Sequence, residues 1–136
     1  MKEIDIYIDG ASKGNPGPGG IGVVIYSAGE NIKNISSYIG NVTNNVAEYT
    51  ALIYALQEAI MLKAEVLTIN TDSQLLYRQI KKVYRVKSPN IIELYNRAIE
   101  LMAAFKKVSM RNIRREENCD ADKLASRAAL TVKKVF

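Results

Sequence analysis

Three segments with the period of a β-strand precede any segment with the period of a helix. That order restricts the fold more than any other feature of the chain. Over residues 3–9, Ile4, Ile6 and Ile8 alternate with Asp5, Tyr7 and Asp9, the pattern of a strand with one buried face. Residues 20–27 (GIGVVIYS) and 31–39 give a second and a third strand, joined by short Gly-containing turns that suit antiparallel neighbours. At Asn44 the period becomes helical and stays so to about Leu62. Residues 65–71 (EVLTINT) then read as a fourth strand, 73–84 as a helix, and 89–105 as another with Pro89 at its start. A weak fifth strand, 107–113, and a last helix, 119–133, complete the order βββαβααβα, which predicts an α/β mixed sheet with helices on its faces. The 136 residues suit one domain, 1–136, since the segment 81–90 (KKVYRVKSPN) is too short a linker to divide it.

The glycine-rich stretch behind the first strand, YIDGASKGNPGPGGIG, contains G-x-G-x-x-G at Gly17, Gly19 and Gly22. A dinucleotide site needs a helix to follow, so that its N-terminus meets the pyrophosphate. Here Pro18 interrupts the motif and the β-branched IGVVIY follows, so that reading fails. No Walker A sequence exists either. The stretch reads instead as a turn between antiparallel strands, with Gly and Pro chosen for their φ angles. It holds Asp9, Ser12 and Asn15 in place.

Composition narrows the chemistry. Histidine is absent, which excludes every mechanism that needs imidazole as base, nucleophile or metal ligand. The single cysteine, Cys119, offers neither a disulfide framework nor a zinc set. No apolar run is long enough to span a bilayer and no signal peptide is visible, so a cytoplasmic protein is expected. A net charge of +5 is compatible with a polyanionic partner.

Several carboxylates stand where apolar neighbours are expected. Asp9 and Asp72 each end an apolar strand, and in open α/β sheets sites form beyond the carboxyl ends of strands. If those strands are parallel neighbours, the two acids converge. Asp72 also suits the cap of the following helix, and Asp9 suits an Asx turn. At about 100° per residue, Glu48 projects into the arc that holds Leu52, Leu56 and Ile60, a core-facing place for an acid. The competing account pairs it with Asn45 in a capping box. In the last helix Asp120 and Asp122 lie on opposite edges of an apolar arc, and periodicity does not choose between them. Together these residues suggest carboxylates from four elements gathered at one edge of the sheet. Such a group stays ionised only with cations, and oxygen-only ligands favour Mg²⁺ or Mn²⁺, which in pairs suit phosphodiester chemistry.

The segments IDGASKGNPGPGGIG, TNNVAEYTAL, TDSQ and ENCDADKLA resemble, in order, the four motifs of type 1 ribonuclease H. The resemblance runs from about Glu3 to Thr131. It implies the ribonuclease H fold, a five-stranded mixed sheet in order 3-2-1-4-5 with helices on both faces. It also implies an endoribonuclease that hydrolyses the RNA strand of RNA–DNA hybrids, leaving 5′-phosphate and 3′-hydroxyl ends. The family's catalytic and metal-binding carboxylates map onto Asp9, Glu48, Asp72 and Asp122; the choice of Asp122 over Asp120 rests on this resemblance alone. Two Mg²⁺ or Mn²⁺ ions would be held, with Asp9 touching both and Glu48 also reaching a 2′-hydroxyl. Ser12, Asn15, Asn44, Asn45 and Gln74 would line the minor groove of the RNA strand, where amides and hydroxyls read 2′-hydroxyls. Thr43 would meet a DNA-strand phosphate. The implied partners are an RNA–DNA hybrid and, secondarily, double-stranded RNA, with no membrane and the chain acting as a monomer.

Two departures from the family stand out. Many relatives carry a histidine in the loop before the last helix; here the loop reads IRREENCDAD, the style of a branch with Arg-Glu-Glu-Asn, and Arg115 is expected near the scissile phosphate. The long basic protrusion of some relatives is reduced to Lys81, Lys82, Arg85 and Lys87. The rival functions are a non-catalytic binder of hybrid or double-stranded RNA and a related exonuclease. The acid set argues against the binder, because clustered negative charge repels phosphates. The exonucleases carry D-x-E where this chain has Asp9-Gly10-Ala11.

Overall fold

In the computed structural model, which describes residues 3–131, five strands form one sheet in the order β3-β2-β1-β4-β5. β1 (Glu3–Ser12), β2 (Gly17–Ser27) and β3 (Glu30–Val42) run antiparallel in succession. α1 (Asn44–Met61) then crosses over the sheet, so that β4 (Val66–Thr71) returns parallel to β1 on its other side. After α2 (Gln74–Ile80) and α3 (Pro89–Met102), β5 (Lys107–Asn112) adds in parallel to β4. A single 3-10 turn, Arg115–Glu117, leads into α4 (Cys119–Leu130). The sheet order and the helices on both faces are those that the resemblance implies.

Alternation in β1 decides which helix covers which face. Ile4, Ile6 and Ile8 are buried beside Ile25 and Val23 of β2 and Leu67 and Ile69 of β4. Leu52 and Leu56 of α1, Leu76 of α2 and Ile91 of α3 belong to the same core. Each such side chain contributes about 1.5–3 kcal/mol by leaving water. The odd residues Asp5, Tyr7 and Asp9 face the side of α4 instead.

The glycines of β2 explain how α4 reaches that side. A Cβ at Gly20 would overlap the Ala125 carbonyl, and one at Gly22 the Ala121 carbonyl. Ala121, Ala125 and Ala128 supply the matching small face of α4. The glycine-rich stretch therefore differs from the expected turn: Gly17–Gly22 lies within β2, and the connection shrinks to Lys13–Pro16. Of its glycines only Gly14 has a positive φ; at Gly10, Gly17, Gly20 and Gly22 a second stretch of backbone comes too close for a Cβ, and at Gly19 the side chains of Val42 and Ile39 do.

Several helix ends also differ from expectation. α2 stops at Ile80 rather than 84, and α1 at Met61. Both finish in Schellman motifs whose left-handed residue is a lysine, Lys82 (φ 64°) and Lys63 (φ 59°). No glycine marks these positions, so the sequence pattern runs on past the true end. α3 ends at Met102 rather than 105. α4 ends at Leu130; the expected residues 132 and 133 lie outside the described residues. Ile60, placed on the core arc of α1 by periodicity, is 40% exposed; Ala59 and Ile53 are buried there instead.

Candidate active site

Parallel pairing of Ile8 with Thr71 puts the next residues, Asp9 and Asp72, side by side at the carboxyl ends of β1 and β4. The helix-cap alternative for Asp72 does not hold. Ser73 is the cap, its hydroxyl accepting the Leu76 N–H at 3.1 Å. Nor is Glu48 part of a capping box: Thr43 caps α1, accepting the Val46 N–H at 3.3 Å.

Glu48 reaches the cluster over Gly10. A Cβ at Gly10 would overlap the backbone of Ala47 and Glu48, so only glycine lets α1 lie against the end of β1. The Gly10 N–H then donates to both Asp9 Oδ1 (3.0 Å) and Glu48 Oε1. One backbone donor thus sits between two carboxylates that come from opposite sides of the sheet.

Asp9, Glu48 and Asp72 each place a carboxylate oxygen within 4.8 Å of the others. Asp9 is only 6% exposed. Burial, then the charges of Asp72 and Asp122, push its carboxyl up to about 8. Glu48 is driven well above the usual carboxylate range by burial and then by Asp9 and Asp72, although the Gly10 N–H pulls it back. Burial also raises Asp72, against the Asn118 amide and the Arg115 guanidinium, which favour its charged form. The cause is physical: like charges at this spacing, in a site partly shut from water, resist ionising together. A donor set made only of carboxylate oxygens, crowded this way, fits hard divalent cations such as Mg²⁺ or Mn²⁺.

The last helix resolves the choice that periodicity left open. Asp122 is half-buried and its charge acts on both Asp9 and Asp72. Asp120 is exposed and lines a separate groove with Tyr7, Tyr26 and Arg111. The structure thus brings Asp122, and not Asp120, beside Asp9 and Asp72, at the edge of the group of three whose oxygens meet within 4.8 Å.

The polar residues expected around the acids form a connected rim. The Ser12 N–H donates to Asn44 Oδ1 (3.1 Å), and the Asn44 N–H donates to Asn15 Oδ1 (3.0 Å). Ser12 Oγ donates to the Val42 carbonyl at 2.7 Å. These bonds tie the β1–β2 turn to the start of α1. Asn45 follows on the same turn, and its Oδ1 is buried without a protein donor among the described residues. Gln74 is exposed as the first residue of α2. Arg115 is exposed in the 3-10 turn, close enough for its charge to act on Asp72. Lys81, Lys82, Arg85 and Lys87 are exposed in the segment between α2 and α3, away from the cluster in sequence and on a different loop.

Sequence reasoning missed Asn118. It is 2% exposed, and its Nδ2 donates to the Ile8 carbonyl (2.9 Å) and to Asp72 Oδ2 (3.4 Å). The only local signal was an amide just before a helix, which reads as an ordinary cap. Gly10 was missed too, because a strand glycine signals close approach without saying to what.

Comparison with known proteins gives a consistent result. The family described as Reverse transcriptase-like matches residues 7–128. The Bifunctional protein Rv2228c of Mycobacterium tuberculosis is 37% identical over 93% of this chain, which spans 35% of that protein's length. Ribonuclease HI of Halobacterium salinarum is 37% identical over 92% of this chain and 63% of its own length. The crystal structure of RNase H1 from Halobacterium salinarum superposes with a TM-score of 0.90, covering 93% of this chain and 96% of that one. LC11-RNase H1, solved in complex with an RNA/DNA hybrid, is 38% identical with a TM-score of 0.90, over 95% and 98% of the two chains.

Proposed function

The chain belongs to the ribonuclease H family, and on that premise we propose that residues 1–136 form one ribonuclease H domain that cuts the RNA strand of RNA–DNA hybrids internally. The products are a 5′-phosphate and a 3′-hydroxyl end. One observation carries the reading: carboxylate oxygens of Asp9, Glu48 and Asp72 meet within 4.8 Å in a chain whose net charge is +5. Pure binding of a polyanion gains nothing from such a cluster.

Two Mg²⁺ or Mn²⁺ ions held by Asp9, Glu48, Asp72 and Asp122 supply, when bound, positive charge at the scissile phosphate and ease deprotonation of the attacking water. The protein's own residues set the geometry. Asp9 would contribute its carboxylate to holding the cations. Glu48, fixed by the Gly10 N–H, also faces the 2′-hydroxyl next to the cut. Asp122 and Asp72 would complete the set of ligands, Asp122 for the cation that activates the attacking water.

The rim recognises RNA through whatever hydrogen-bonding capacity the fold leaves free. Asn15 and Asn44 spend their Oδ1 atoms on backbone N–H groups. Their Nδ2 groups remain to donate to 2′-oxygens. Ser12 Oγ lies against the Gly14, Gly17 and Val42 carbonyls and gives its one proton to this backbone set, so it meets a 2′-hydroxyl as an acceptor. Asn45 and Gln74 extend the same groove. Thr43 accepts in its cap, which leaves its proton for a DNA-strand phosphate. On this reading the Arg-Glu-Glu-Asn loop belongs to the branch lacking the loop histidine, and Arg115, whose charge acts on Asp72, would lie beside the scissile phosphate.

The test is incubation of an end-labelled RNA–DNA hybrid with Mg²⁺ or Mn²⁺, beside chelator and Asp9→Asn controls. Internal cuts in the RNA strand alone, with 5′-phosphates, are expected. Binding without cleavage in either metal would establish the non-catalytic alternative. Stepwise loss from one end would establish an exonuclease.

A further inference from the structure

Asn118 occupies the cap position of α4, yet its side chain makes no capping hydrogen bond. Its amide is turned the other way. Both groups that Nδ2 meets, the Ile8 carbonyl and the Asp72 carboxylate, are acceptors, so the nitrogen and not the oxygen must face them. The backbone is engaged as well. The Asn118 carbonyl accepts the Asp122 N–H at 3.1 Å, and its N–H donates to the Arg115 carbonyl at 3.0 Å. Ile8 immediately precedes Asp9. A single residue is therefore bonded to the strand beside Asp9, to Asp72 itself, and to the backbone of Asp122.

We propose that Asn118 is the positioning residue of the carboxylate cluster: it locks β1, the head of α2 and the first turn of α4 at the spacing that holds divalent cations. The inference rests on the nuclease reading above. The amide also offers Asp72 a donor inside a group of like charges, which fixes the orientation of that ligand. Groups that orient metal ligands in this way change metal affinity or activity by about 10- to 100-fold when removed. A residue that served only to start a helix would have no such effect.

Asn118→Ala and Asn118→Ser separate these possibilities. Serine is itself a favoured cap residue, so the second variant preserves the start of α4 while losing the reach to Asp72. Mn²⁺ binding is read by calorimetry, hybrid cleavage by kcat and KM, and folding by thermal melts. Asn118→Ser is expected to stay folded at the assay temperature, with a melt lowered by loss of the buried bond to the Ile8 carbonyl, and to bind Mn²⁺ about 10- to 100-fold more weakly. Its kcat should fall in parallel, with KM for the hybrid changed by less than about twofold, as for loss of a group that acts only through the ligands. Wild-type Mn²⁺ affinity and kcat in a folded variant would overturn the inference and leave Asn118 a residue of the fold alone. A wild type that binds no Mn²⁺ would instead overturn the nuclease reading on which the inference stands.

Discussion

Asp5 and Asp9 lie on one face of one strand, four residues apart, and meet opposite surroundings. Asp5 accepts the Asn70 amide at 2.6 Å, and Arg111 Nη1 in turn donates to Asn70 Oδ1 at 3.2 Å. Its charge is matched by a buried donor backed by a guanidinium. Asp9, at the other end, faces Glu48, Asp72 and Asp122, with one backbone N–H between them. The fold satisfies the first carboxylate with its own groups and leaves the second to be satisfied by something it binds. That contrast separates an acid that serves the structure from one that serves a reaction.

Substitution at the two positions tests the contrast most severely. Asp9→Asn is expected to lower kcat on a hybrid by more than about 100-fold, the upper end for groups that merely support a ligand. Asp5→Asn should keep kcat within about twofold and cost about 1 kcal/mol in urea unfolding, the worth of a typical hydrogen bond. Equal losses of kcat at both positions would erase the distinction.

Gly10→Ala comes next in size. The added methyl meets the backbone of Ala47 and Glu48, so α1 must move from the end of β1. Overpacking of this kind costs about 1–3 kcal/mol. A loss of kcat beyond what the melt explains would show that the Gly10 N–H orients the two carboxylates.

The acid cluster also predicts how stability responds to pH. In the folded, metal-free protein Asp9 keeps its proton up to about 8, against 3.8 as the ordinary value in the unfolded chain. Between these values the folded state binds more protons. The contribution is therefore complete below 3.8 and is lost as pH rises through about 8. Melting temperature without metal should fall across this range, Mg²⁺ at the alkaline end should restore it, and Asp9→Asn should flatten the slope.

Two smaller effects concern the surroundings. Arg115→Ala should slow multiple-turnover cleavage by about fivefold or less, since an exposed charge is worth no more than about 1 kcal/mol. An unchanged rate would remove Arg115 from the site. Lys87→Ala tests whether the basic run between α2 and α3 meets phosphates: contact predicts a log–log salt slope reduced by about one, and an unchanged slope would leave a solvated helix end.

Most of the architecture was legible because the relevant signals are local. The alternation of Ile4, Ile6 and Ile8, the β-branched runs and the change of period at Asn44 each lie within a few residues. The carboxylates were legible as misplaced charges, and the parallel return of β4 beside β1 gave their convergence a reason. What escaped the sequence depends on contacts across the fold. Gly20 and Gly22 are glycine because α4 touches them from a hundred residues away, which no turn rule conveys. Asp120 and Asp122 are equivalent by period, and only the packing of Ala121 and Ala125 on β2 separates them. Lys63 and Lys82 end helices in a conformation that glycine usually marks. Asn118 looks like any cap until its amide is seen to point away from its own helix.

The claim at the centre is that Asp9 is held among other acids in a state that divalent cations relieve. Carbon-13 NMR of the Asp9 side-chain carboxyl, titrated with and without Mg²⁺, addresses it directly. The account predicts a midpoint near 8 without metal and a large drop when Mg²⁺ is added. An ordinary acidic midpoint in both titrations would contradict it.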